Sequence, residues 1–307
     1  LFRSLLASGA VRLALSPLFL AVFLAASLAD AASDPRFTQG VFWKVERDGA
    51  SASHIFGTIH LSDPRLRELP EQIRQPFIAA HDVVFELPDD PEGPALMTQA
   101  MILSDGRRLD DILGPDLFAQ VVGAAARYGL APQALRPLKP WALSVFLVAP
   151  PAELARKAQG EQSLDEWLRS EAQRRGKAVH GLESFREQIA VFNGMTEAEQ
   201  VAMVRDLVAD SAKAEAEFAK LLQAYMKSDI GAIFAQMNDM SGVSDQAAAR
   251  RFLQRLIYDR NVTMVSRMQT YLTKGNAFVA IGAAHLPGEG GVLDLLEKQG
   301  YRVTRVY

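Results

Sequence analysis

The chain has 307 residues, 49 % of them apolar and 22 % charged, an ordinary globular composition with ample length for a core. Its 33 basic and 36 acidic residues leave a net charge of −3 and no basic tail, which argues against nucleic acid as a partner. There is no cysteine, so disulfides, thiolate zinc sites and a cysteine nucleophile are excluded, and any metal must be held by His, Asp or Glu.

In chain order, Arg3 and Arg12 flank the start of an apolar stretch over residues 13–28, broken by Ser16 and Pro17 and followed by Ala29-Asp30-Ala31. This layout predicts a secretory signal peptide over residues 1–31 and a linker over 32–40. The expected location is periplasmic or secreted, with no stable membrane insertion after cleavage. The alternative is an N-terminal membrane anchor, because the stretch approaches the ~17 residues that a spanning helix needs. Without residues 1–31 the chain loses two arginines and one aspartate, leaving 31 basic and 35 acidic residues and a net charge of −4.

Residues 41–47 alternate, with Val41, Trp43 and Val45 on one side, as in a half-buried strand. Asp48-Gly49 signals a turn, and residues 53–56 return as a second strand that Gly57 ends. Leu69, Ile73 and Phe77 are spaced as one helix face with Pro70 at its start. Residues 82–87 read as a third strand.

From about 92 to 175 the pattern is helical with Gly and Pro breaks. Ser163 to Glu166, Ser184 to Glu187 and Thr196 to Glu199 have the capping-box pattern that opens helices, and residues 177–183 form a short strand between the first two. Over residues 248–273, Leu253, Leu256, Ile257, Met264, Met268 and Tyr271 make one apolar stripe of a helix. A strand over 276–281, a helix over 290–299 and a strand over 302–306 close the chain. The expected class is α/β, with α+β as the variant. Strands from the two ends of the chain share one sheet, and a largely helical insertion over about 92–175 lies between them in a single domain spanning 41–307.

Two histidines stand in matching frames. Gly57-Thr58-Ile59-His60 and Gly282-Ala283-Ala284-His285 each follow an apolar run. Ligands collect at the carboxyl ends of strands in open α/β sheets, glycine permits a sharp turn, and imidazole serves as metal ligand or base. The pair forms one shared site or consists of two unrelated loop histidines.

Glu86 ends a buried strand, where a carboxylate needs a partner or a cation. It reads as third ligand or base, or as a strand-end residue reaching solvent. Glu183 holds a similar position, but acids at helix starts are also common on dipole grounds. Glu187 reads as a capping acid.

Arg260 falls on the apolar stripe. An inward guanidinium requires either an anionic ligand, such as a substrate carboxylate or oxyanion, or an internal salt bridge with Glu86 or Glu183. His54 (in an edge-like strand), His81 and His180 read as structural. The Gly-rich run over 282–291 lacks a GxGxxG register.

The frames WKV, IFGTIHLSD and FIAAHDVVFELP, the middle segment GLESFREQ, and the closing frames YDRNVTMVSRM and FVAIGAAHLPGEGGVLDLLEKQGYRV together resemble the TraB/GumN family over residues 41–307. The resemblance implies kinship with the TIKI proteins, metal-dependent proteases that rely on GxxH motifs and a glutamate and use manganese- or cobalt-like ions. It also implies a more distant likeness to the erythromycin esterases and the haem-binding ChaN-like fold. Carried over, it points to His60, Glu86, Arg260 and His285. The function so expected is an exported metal-dependent hydrolase, a peptidase, acting on a peptide or small-molecule substrate.

In that reading His60, His285 and Glu86 hold a divalent metal, manganese or cobalt with zinc as a further option. Glu86 or Glu183 moves the proton, and Arg260 holds negative charge. The alternative is a non-catalytic periplasmic protein that binds peptide or haem.

Overall fold

The computed structural model describes residues 36–307, so the expected signal peptide and the first part of the linker lie outside the described residues. The strands are β1 (Phe42–Glu46), β2 (Ser53–Thr58), β3 (Asp82–Phe85), β4 (Ala178–Gly181), β5 (Ala277–Gly282) and β6 (Arg302–Arg305). They form one mixed sheet in the order β4-β3-β5-β2-β1-β6. β4, β3, β5 and β2 are mutually parallel, and β1 runs antiparallel to both β2 and β6. The class is mixed α/β, with terminal strands in one sheet and helices between them.

The sequence explains which strand lies innermost. All six residues of β5, AFVAIG, are buried, the continuous apolar run of a strand covered on both faces. Phe278 at its start packs against the rings of Phe42, Phe56 and Phe77 at 5.7, 6.0 and 5.2 Å. β2 continues through Gly57 to Thr58 instead of stopping at the glycine. It lies inside the sheet, not at an edge, and His54 stacks on Phe42 at 5.2 Å. β4 comes from the middle of the sequence and forms the edge beside β3, so the strands are not confined to the two ends of the chain.

The helices divide between two apolar cores. Leu164, Leu168 and Ala172 of the helix Leu164–Arg174 pack onto the sheet. A second core, including Met97, Leu109, Val121, Trp141, Phe192 and Leu256, lies within the helical layer. It draws on segments before and after β4, so the helical layer extends beyond the 92–175 stretch.

The expected helix over 248–273 is three pieces: Gln246–Leu253, a π-helical turn Gln254–Tyr258, and Asp259–Lys274. The wider turn adds a residue just before Arg260 and frees backbone carbonyls for other donors; such turns cluster at functional sites. Among the described residues no helix is long and apolar enough to cross a membrane.

Three parallel neighbours, β3, β5 and β2, end along the same edge of the sheet. Gly57 pairs with Ile281 and Thr58 with Gly282, which sets the two GxxH motifs side by side. A Cβ on Gly57 would lie 2.7 Å from Leu286 Cδ1 and 3.1 Å from Ala283 Cα, so glycine is what lets the motifs pack.

Candidate functional site

Glu86 lies just beyond β3 with 5 % of its surface exposed. Its Oε1 accepts the Gly282 N–H at 2.7 Å, and its Oε2 accepts from Arg260 Nη2 at 2.7 Å. The same Oε1 faces both motif histidines, with His60 Nε2 at 4.0 Å and His285 Nε2 at 3.8 Å. Three strand ends thus deliver two imidazoles and a carboxylate to one point.

Each imidazole is fixed from behind. His60 Nδ1 is 2.8 Å from Asp165 Oδ2, and Thr58 Oγ1 donates to the other Asp165 oxygen. His285 Nδ1 is 2.6 Å from Asn261 Oδ1. Asn261 Nδ2 donates to the Gly290 carbonyl, which makes its oxygen the atom that faces the histidine. Nδ1 of His285 therefore carries the proton, and Nε2 presents its lone pair toward Glu86. Partners of this kind set the tautomer and aim of metal-binding histidines.

The surroundings shift the two rings in opposite directions. Burial alone lowers the pKa of His60, but the charge and hydrogen bond of Asp165, with Glu86 beyond, overcome it and hold the pKa at about 9. His285 is pushed down to about 3 by burial first and the Arg260 charge second, against the pull of Glu86. Burial raises Glu86, but Arg260, His285, His60 and the Gly282 N–H outweigh it and hold the carboxyl at about 2.

Arg260 and Glu183 lie directly behind Glu86, buried with 5 % and 6 % exposed. Arg260 Nε lies 3.0 Å from each Glu183 oxygen, its Nη2 reaches Glu183 Oε2 at 2.7 Å as well as Glu86, and its Nη1 donates to the Leu256 carbonyl in the π turn. Every nitrogen of the guanidinium is engaged within the protein. Gln188 Nε2 sits against both carboxylates, at 3.5 and 3.3 Å.

Glu187 caps the helix Phe185–Asn193 and pairs with Arg267 on the surface. His180 pairs with Asp82 at 2.7 Å on the edge strand, and His81 is exposed.

Donor atoms that share an ion at about 2.0–2.2 Å stand ~3–4 Å apart. The spacings of 3.8 and 4.0 Å lie at the open end of that range. Among the described residues no group of three or more His, Cys, Asp or Glu side chains is placed to hold a metal ion. Two imidazoles and a carboxylate are nonetheless the donor types that a divalent cation takes, and a cradle lies between them. A Cβ on Gly282 would meet Glu86 Oε1, His285 Cδ2 and His60 Nε2 at 3.1, 3.5 and 3.6 Å. The missing side chain leaves space that all three groups border.

Asp165 and Asn261 escape a reading of the sequence for different reasons. Asp165 sits inside the Ser163–Glu166 capping box, where an acid needs no other explanation. Asn261 carries a usable signal: it lies four after Ile257 and three before Met264, a polar residue on the apolar stripe. Asp165→Asn is expected to weaken divalent-ion binding about 10- to 100-fold, as loss of such partners does. Manganese titration of variant and wild type, with melting of the ion-free proteins as control, measures it.

A mixed α/β sheet thus brings the paired GxxH motifs and a buried glutamate to adjoining strand ends. The model of the TraB/PrgY/gumN family matches residues 41–305, and the chain belongs to that family. It is 26 % identical to Metalloprotease TIKI1 of Danio rerio, over 85 % of this chain and 62 % of the relative. It is 24 % identical to Metalloprotease TIKI1 of Homo sapiens, over 85 % of this chain and 61 % of the relative. Against the Metalloprotease TIKI homolog of Nematostella vectensis the identity is 23 %, over 86 % of this chain and 66 % of the relative. The chain thus spans about three-fifths of the length of most of the curated relatives it matches. No solved structure matches it significantly.

Proposed function

We propose that this chain is an exported metal-dependent hydrolase that cleaves peptides. The observation that carries the reading is the convergence of His60 Nε2 and His285 Nε2 on Glu86 Oε1. The metalloprotease names of its relatives support it. His60, His285 and Glu86 would hold the ion, manganese or cobalt in preference to zinc. When bound, a divalent ion polarises a carbonyl and lowers the pKa of a water.

The chain's own residues keep the site aimed. Asp165 and Asn261 hold the rings so that both Nε2 atoms face inward. Arg260 anchors Glu86 Oε2, leaving Oε1 as the carboxylate oxygen that faces the histidines and a substrate between them. Glu183 has both oxygens on Arg260, so it balances that charge and holds the clamp in place. In this reading Arg260 and Glu183 are positioning residues.

The test is metal content, melting with added manganese, cobalt or zinc, and cleavage of a peptide library, for the chain from Ala32 and its His60→Ala, His285→Ala double variant. An ion at about 100 times its Kd should stabilise the wild type by about 2.7 kcal/mol. Both that shift and the cleavage should vanish in the double variant. An ion-dependent shift without turnover overturns the peptidase, and saturable peptide binding in its place makes the chain a binding protein. No shift and no cleavage overturn the whole reading.

A further inference from the structure

The helical layer contains a concavity that shares no lining residue with the GxxH site. Its walls include Met195, Met203, Met237, Met240, Phe252 and Leu253, around a cavity of about 70 Å³. Small-molecule sites are mostly apolar and carry a few placed polar groups. Methionine thioethers suit such walls because they adapt to irregular apolar shapes.

Asp206, on the helix Glu197–Ala209, also lines this space. Its exposure is 8 %, and its Oδ2 accepts the Ser244 N–H at 3.1 Å. Among the described residues no Lys, Arg or His forms an ion pair with it. The neighbouring acids are accounted for: Glu199 is paired with Arg251 and caps its own helix, and Asp245 is exposed and caps the helix Gln246–Leu253. A largely buried carboxylate against apolar walls is costly unless a cation meets it.

We propose that this cavity binds an organic ammonium compound, with its apolar body against the methionines and its cationic head on Asp206. A neutral apolar molecule leaves the carboxylate unmatched, and an anionic one is repelled. The inference is independent of hydrolysis at the GxxH site.

Calorimetric titration with three probes of equal length, hexylammonium, hexanol and hexanoate, tests it on the same chain. Hexylammonium should bind most tightly and hexanoate least. Asp206→Asn keeps an oxygen for the Ser244 N–H but removes the charge. It should weaken hexylammonium about tenfold, as loss of a charge-assisted hydrogen bond does, and leave hexanol within about twofold. Ala202→Trp, which fills the cavity from its wall, should abolish binding of all three. Absence of binding by every probe, equal binding of hexanoate and hexylammonium, or no effect of Asp206→Asn overturns the proposal. If a variant fails to fold, the wild-type ranking of the three probes decides.

Discussion

Gly282→Ala is expected to abolish divalent-ion binding, and any hydrolysis that depends on it, while leaving the chain folded. The backbone at Gly282 has φ −55° and ψ 134°, a region open to alanine, so the substitution adds no backbone strain. The Gly282 N–H that holds Glu86 Oε1 is also retained. What changes is the space between the donors. The new methyl would stand 3.1 Å from Glu86 Oε1 and 3.6 Å from His60 Nε2, where the donors must close on an ion about 2 Å away. Ion affinity should fall at least about 100-fold, whereas overpacking of one methyl costs the ion-free fold about 1–3 kcal/mol. Manganese titration read beside ion-free melting separates the two effects. Wild-type affinity in Gly282→Ala would place the ion elsewhere.

The local patterns in the sequence carry the strands and the two histidines, but not the reason these histidines meet. Alternation marks β1, although Phe42 on its other side is buried as well, and an unbroken apolar run marks β5. Pairing is another matter. Ser53 of β2 and Ala277 of β5 lie 224 residues apart, and no local property of either strand names its neighbour. The repeated Gly-x-x-His hints at the pairing only because the same turn recurs at both strand ends.

Glu86 and Arg260 stand out as polar groups where apolar ones belong, and Asn261 could have been found by the same test. Asp165 could not, since a helix start hides it. The π turn is also silent in the sequence: Leu253 to Tyr271 reads as one α-helical stripe, and the added residue appears only where Arg260 Nη1 reaches the Leu256 carbonyl. The extent of the helical layer is obscured similarly. β4 interrupts its segments in sequence, while their apolar faces join in a single core.

Arg260→Met should lower stability at neutral pH by about 3–5 kcal/mol, the cost of leaving a buried ion pair with one side removed. A single nitrogen, Nη2, holds Glu86 Oε2 and Glu183 Oε2, each at 2.7 Å. Without it two buried carboxylates face each other, with Gln188 Nε2 at 3.5 and 3.3 Å as the donor against both. At about 2–4 °C per kcal/mol for a domain of this size, melting should fall by roughly 10 °C. Ion affinity should fall with it, because Glu86 loses the contact that keeps Oε1 turned to the histidines.

Adding Glu183→Met removes the second buried charge and should recover part of the loss, a coupling expected of residues in one network. Arg260→Lys keeps a charge but not the planar fork that spans both carboxylates, so it should fall between wild type and Arg260→Met. A guanidinium whose role is to contact substrate gives the opposite pattern. Arg260→Met would then melt like wild type, bind the ion normally and raise only KM, and the clamp assigned to Arg260 would be wrong.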